Sequence, residues 1–101
     1  MGVKLESWML AAVAERGAGE AIVVDGRAIV AGDLAIEPFR GAFPLLDHER
    51  FLDAKIALAR LANAGYLRSA APGVFVITEV GEQRAALERG MNDLDAWPAE
   101  G

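Results

Sequence analysis

Apolar positions near the start of the chain recur at helical spacing. Leu5, Trp8, Met9, Ala12 and Val13 share one stripe, while Glu6, Glu15 and Arg16 lie off it. The pattern predicts a helix over 5–16, stopped by Gly17-Ala18-Gly19, with Trp8 and Met9 packed in the core. Two β-branched runs follow, Ala21-Ile22-Val23-Val24 and Arg27-Ala28-Ile29-Val30, on either side of Asp25-Gly26. Asp-Gly between such runs predicts a two-residue hairpin turn, because both positions tolerate positive φ. One strand followed by a turn into a helix is the rival reading. Beyond it, Asp33 is placed to cap a short helix through Glu37, which Pro38 would end. Phe39 and Phe43 then read as loop anchors that plug the core, or else line a partner groove.

The second half is more regular. Phe51, Ala54, Leu58, Leu61 and Ala62 make one apolar stripe, which predicts a long helix over 47–64. Asp47 would cap it and Glu49 would suit the positive end of its dipole. Gly65 stops the helix, Tyr66-Leu67 begin an extended segment, and 68–73 reads as a turn with Pro72-Gly73 at its tip. Val74-Phe75-Val76-Ile77 is the return strand, too short to stand without the helices. Thr78 then caps a final helix over 79–89, ended by Gly90, and 91–101 is an acidic tail carrying Leu94 and Trp97.

With 101 residues, the chain suits one domain, here 1–90 with the tail appended. An apolar fraction of 53% excludes wholesale disorder, and much of it is alanine, which favours helices over a sandwich or barrel. No apolar run nears the roughly 20 residues of a membrane span, and Glu6 interrupts what a secretory leader would keep apolar. The absence of cysteine excludes disulfides, thiolate metal sites and thiol nucleophiles. A cytoplasmic location is the expectation. The net charge of −5 argues against a protein that coats nucleic acid without sequence preference.

Two stretches carry a family resemblance. One is Leu58-Ala59-Arg60-Leu61-Ala62-Asn63-Ala64-Gly65-Tyr66-Leu67; the other is Val74-Phe75-Val76-Ile77-Thr78-Glu79-Val80-Gly81. Together they resemble the winged-helix pattern of bacterial regulators, most closely the MarR and PadR groups. That pattern is a helix ending in leucine-x-x-leucine-x-x-x-glycine-aromatic-leucine, then a hairpin wing running into leucine-threonine-glutamate-x-glycine. Leu58, Leu61, Gly65, Tyr66 and Leu67 match the first part; Ile77, in place of leucine, Thr78, Glu79 and Gly81 match the second. The match spans about 47–89. It implies an α+β winged-helix domain, mostly helical, with the C-terminal hairpin as the wing and an added hairpin in the first half. Two departures stand beside it: 32–46 makes a poor second helix for a helix-turn-helix, and the expected wing tip carries a single basic residue.

The resemblance implies a transcription regulator that reads duplex DNA with the 47–64 helix. Arg50, Lys55, Arg60 and Asn63 would contact DNA from that helix and Arg68 from the wing. Arginine can read guanine bidentately, asparagine can read adenine, and lysine mainly holds phosphate. Residues 1–46 carry net charge −2, 47–70 carry +1 and 71–101 carry −4, so the positive stretch is the one assigned to DNA. The same charges also read as the solvated face of an ordinary helix.

A second stripe on that helix, Leu52, Ile56 and Ala59 with Asn63, points elsewhere. It either packs on the first helix or, if exposed, docks a protein partner, making the chain an interaction module with little or no DNA binding. Leu87, Met91, Leu94 and Trp97 would supply the contacts of a homodimer, unless the tail folds back on its own domain. No enzyme, cofactor or metal is expected. Asp47-His48-Glu49 cannot all face one ion from a helix, Ser7 and Ser69 have no evident base, and Gly17-Ala18-Gly19-Glu20 lacks the lysine of a phosphate loop. An enzyme would need an unexpected pocket around 39–43.

Overall fold

The computed structural model describes residues 2–17, 20–37, 44–90, 92, 94, 97 and 98. The elements are α1 (Gly2–Glu15), β1 (Ile22–Val24), β2 (Ile29–Ala31), β3 (Leu34–Ile36), α2 (Pro44–Asn63), β4 (Leu67–Ala71), β5 (Val74–Ile77) and α3 (Glu79–Arg89). The five strands form one antiparallel sheet in the order β3-β2-β1-β5-β4. The molecule is therefore α+β, three helices against a five-stranded sheet.

The core lies between the helices and one face of the sheet. Ile22, Ile29, Ala31, Leu34, Ile36 and Leu67 are buried, while Val23 and Val30 point the other way and are exposed. Period-two alternation in the strands produces this division. The first helix, α1, sits at the centre: it packs on both α2 and α3, and every residue from Trp8 to Val13 is buried. Burial on all sides explains why its apolar stripe widens to include Leu10 and Ala11. Each fully buried aliphatic side chain, such as Leu10, Ile22, Ile29 or Leu58, contributes about 1.5–3 kcal/mol of transfer free energy.

The first half departs from the sequence reading at both of its turns. β1 and β2 pair with Val24 opposite Ile29, so the connection holds 25–28 and its central residues are Gly26 and Arg27. The Asp25 carboxylate explains the shift. Its Oδ1 accepts from the amides of Arg27 at 2.7 Å and Ala28 at 2.9 Å, and its own N–H donates to the Ala28 carbonyl at 3.1 Å. That capture makes Asp25 the first corner of the turn rather than a central residue. The two backbone amides, Arg27 first, hold its carboxyl below the usual aspartate range.

The second departure is larger. The helix expected over 33–37 is instead a turn and a strand. Ala31 pairs with Leu34 across a two-residue connection, Gly32-Asp33, with Gly32 at φ +57°. A side chain at Gly32 would also meet the Arg16 carbonyl at 2.5 Å, so glycine is required twice over. The Asp33 N–H donates to that same carbonyl at 3.0 Å. Leu34 and Ile36 then alternate into the core. No second helix precedes α2 among the described residues, so the helix-turn-helix of the expected fold is replaced here by a three-stranded meander. Residues 38–43, with Phe39 and Phe43, lie outside the described residues.

The second half follows the reading more closely. The long helix, α2, starts at Pro44 rather than Asp47; proline suits a first helical position, whose amide has no partner to lose. The strand β4 runs to Ala71, so residues expected in the turn are strand and only Pro72-Gly73 form the tip. Thr78 caps α3 as expected, its hydroxyl accepting from the Gly81 amide at 3.0 Å. The same hydroxyl lies 2.7 Å from the Gly65 carbonyl, and the Thr78 amide donates to the Tyr66 carbonyl at 3.0 Å. Gly81 is buried against that carbonyl, where a Cβ would not fit. One threonine and one glycine thus fasten the start of α3 to the turn that ends α2.

Candidate functional site

Successive residues of α2 rotate by about 100° around its axis. Phe51, Ala54, Ala57, Leu58 and Leu61 point into the core. The opposite direction is occupied by Leu52, Ile56, Ala59 and Asn63, all exposed. Leu52 keeps 43% of its surface in water and Ile56 51%. The second stripe of the sequence reading is therefore solvent-facing, not packed on α1.

The cations assigned to this helix are spread around it. Arg50 is half-buried, its guanidinium 5.6 Å from the centre of the Trp97 ring. Lys55 is exposed on one flank, its ammonium 5.6 Å from the ring of Phe51, one turn earlier. Arg60, on the other flank, pairs with Glu6 of α1 at 3.5 Å. Only Asn63 shares the centre of the outward face with the apolar residues. Arg68 lies away from the helix, within β4 and opposite Val76. Structure thus brings together Leu52, Ile56, Ala59 and Asn63, with Lys55 and Arg60 beside them, and separates Arg50 and Arg68 from the group.

The four positions assigned to dimer contacts divide similarly. Leu87 is exposed on α3 at 70%. Leu94 and Trp97 pack against the core of their own chain, Trp97 stacking on Trp8 with ring centres 5.3 Å apart and planes tilted by 48°. Met91 lies outside the described residues.

Two groupings escaped the sequence reading. On the outer face of the sheet, Val30 lies between Val23 and Ala35, and Val23 also pairs with Val74, giving an apolar row across four strands. The alternation that hides Ile22 and Ile29 could have revealed it. The other is a polar seam between α1 and the end of α3. Ser7 donates to Glu88 at 2.7 Å, and the Asn92 amide donates to the Ser7 hydroxyl at 3.0 Å and to the Glu88 carbonyl at 2.6 Å. Arg84 pairs with Glu88 at 2.9 Å and Arg89 with Glu15 at 2.7 Å. Of this seam, only the Arg84–Glu88 spacing was visible in the sequence.

No family model, no curated protein and no solved structure matches the chain. Among the described residues, no helix is long and apolar enough to cross a membrane, and no group of three or more His, Asp or Glu could hold a metal ion.

Proposed function

We propose that this chain is a winged-helix-like module that docks on a protein partner through the outward face of α2. The observation that carries the reading is the apolar centre of that face. A helix that reads base edges presents hydrogen-bonding side chains there, whereas Leu52, Ile56 and Ala59 offer none. Two of the four helix residues assigned to DNA are engaged within the fold, Arg50 with Trp97 and Arg60 with Glu6. Exposed aliphatic groups grouped on one helix face suit an amphipathic partner segment laid along it. Lys55 is exposed on one flank of the stripe, while Arg60 on the other is paired with Glu6, so the partner segment is apolar with an acidic border on the Lys55 side.

Duplex DNA is the second reading, favoured by the exposure of Lys55, Asn63 and Arg68. Two selections on the intact chain separate the readings. A displayed peptide library, counter-selected on the Leu52→Asp/Ile56→Asp double variant, should enrich acidic amphipathic peptides. Their affinity should fall by at least about tenfold on the double variant and stay unchanged on Arg68→Ala. Selection from fragmented genomic DNA should enrich no motif. A DNA motif whose affinity falls linearly in log salt, and which depends on Lys55, Asn63 and Arg68, would reverse the assignment.

A further inference from the structure

α1, α3 and the end of α2 meet at a cleft of about 120 Å³, lined by Glu6, Ser7, Leu10, Leu61, Tyr66, Arg84 and Glu88. It shares no residue with the outward face of α2. Leu10 and Leu61 are buried and make its floor apolar. Each Glu88 carboxylate oxygen already has a partner, one Arg84 and the other Ser7. Glu6 uses one oxygen, toward Arg60, and Arg84 uses only Nε, toward Glu88. Among the residues lining the cleft, the second oxygen of Glu6, the two terminal nitrogens of Arg84 and the Tyr66 hydroxyl are the polar atoms that face it without a partner.

The charges select the ligand class. The rim holds two carboxylates, Glu6 and Glu88, each matched by one guanidinium, from Arg60 and Arg84. The rim is therefore balanced, and a ligand with net charge would bring in a charge that nothing there offsets. A zwitterion meets both kinds of group at once. Its carboxylate suits the planar fork of Arg84, and its ammonium suits the open oxygen of Glu6. The apolar floor takes a short aliphatic body. The volume is well below the ~300–1,000 Å³ of pockets that hold drug-sized molecules, so the occupant has few heavy atoms. We propose that the cleft binds a small aliphatic α-amino acid. Its carboxylate lies on Arg84, its ammonium on Glu6 and its side chain over Leu10 and Leu61.

The test is a titration of the ¹⁵N-labelled full chain, followed by amide chemical shifts, with L-valine, isobutylamine and isobutyrate in separate series. L-Valine should give saturable shifts confined to residues 6–10, 60–61, 66 and 84–88. The amine and the acid should each bind at least about tenfold more weakly. Glu6→Gln and Arg84→Gln should each weaken L-valine by at least about tenfold while leaving the rest of the spectrum in place, because partly exposed ion pairs add little to the fold. Should Arg84→Gln fail to fold, Glu6→Gln decides alone. Absence of saturable shifts with L-valine overturns the proposal. So do equal responses to all three compounds, shifts centred elsewhere, or undiminished affinity in the folded variants.

Discussion

The two faces of α2 carry similar side chains and play opposite parts. On the inner face, Phe51, Ala54, Leu58 and Leu61 are sealed against α1 and the sheet. On the outer face, Leu52 and Ile56 keep roughly half their surface in water, at 43% and 51%. Hydrophobicity therefore has one meaning on the inside, where it holds the fold, and another on the outside, where the described residues give it no partner. Substituting the inner residues should therefore cost stability, and substituting the outer ones should not. Apolar periodicity alone cannot separate these meanings, since a helix with two apolar stripes shows both in its sequence.

Substitution can break the comparison if it is wrong. The largest expected effect is on the inner face. Leu58→Ala, at a position 1% exposed, should cost about 2–5 kcal/mol in urea unfolding, with the slope of the transition unchanged. A cost near zero would mean that α2 is not anchored where it is drawn. On the flank, Arg50→Ala removes the guanidinium from the Trp97 ring and should cost about 0.5–1 kcal/mol, measured in the same way. It should leave any peptide or DNA affinity untouched. An affinity loss without a stability loss would return Arg50 to the binding surface. Arg60→Ala breaks a partly exposed pair with Glu6 and should cost no more than about 1 kcal/mol of stability. If Arg60 contacts a base edge, the same substitution should weaken specific DNA binding by about 1–3 kcal/mol, read by anisotropy titration.

Where local chemistry decides an element, the sequence was readable. Thr78, the Pro72-Gly73 tip and Gly65 placed the β4–β5 hairpin and α3 because each acts on its own neighbours. The inner stripe of α2 was readable for the same reason. The first half was not, because its turns had two local answers. Asp25 could sit at a central turn position or capture the amides after it, and it captures them. Asp33 could cap a helix or follow a positive-φ glycine in a hairpin, and pairing of Leu34 and Ile36 against β2 chooses the hairpin. Gly-Asp is itself a hairpin signal, so this turn was legible but outweighed by the capping pattern. The candidate site was half-visible. The outer stripe of α2 was named from spacing, but whether it was covered depended on where α1 lay. That Arg50 meets Trp97 and Arg60 meets Glu6 depended on contacts between distant segments, for which the sequence holds no local mark.

The smallest expected effect on stability gives the sharpest test of the outer face. Ile56→Lys places a charge where water already reaches the side chain, so no buried charge is created and no cavity is left. Surface changes of this kind stay within about ±0.5 kcal/mol. Lysine also has a higher helix propensity than isoleucine, so urea unfolding should show a midpoint equal to or slightly above that of the parent. Binding should respond in the opposite sense for the two partner classes. A new cation at the centre of the stripe should abolish docking of an apolar segment, because the ammonium must be desolvated to be covered. It should strengthen salt-dependent association with duplex DNA, because it adds a phosphate contact to the exposed face. One variant with unchanged stability therefore moves the two affinities apart. A large loss of stability in Ile56→Lys would instead show that the outer face is covered within the chain, and the distinction between the two faces of α2 would disappear.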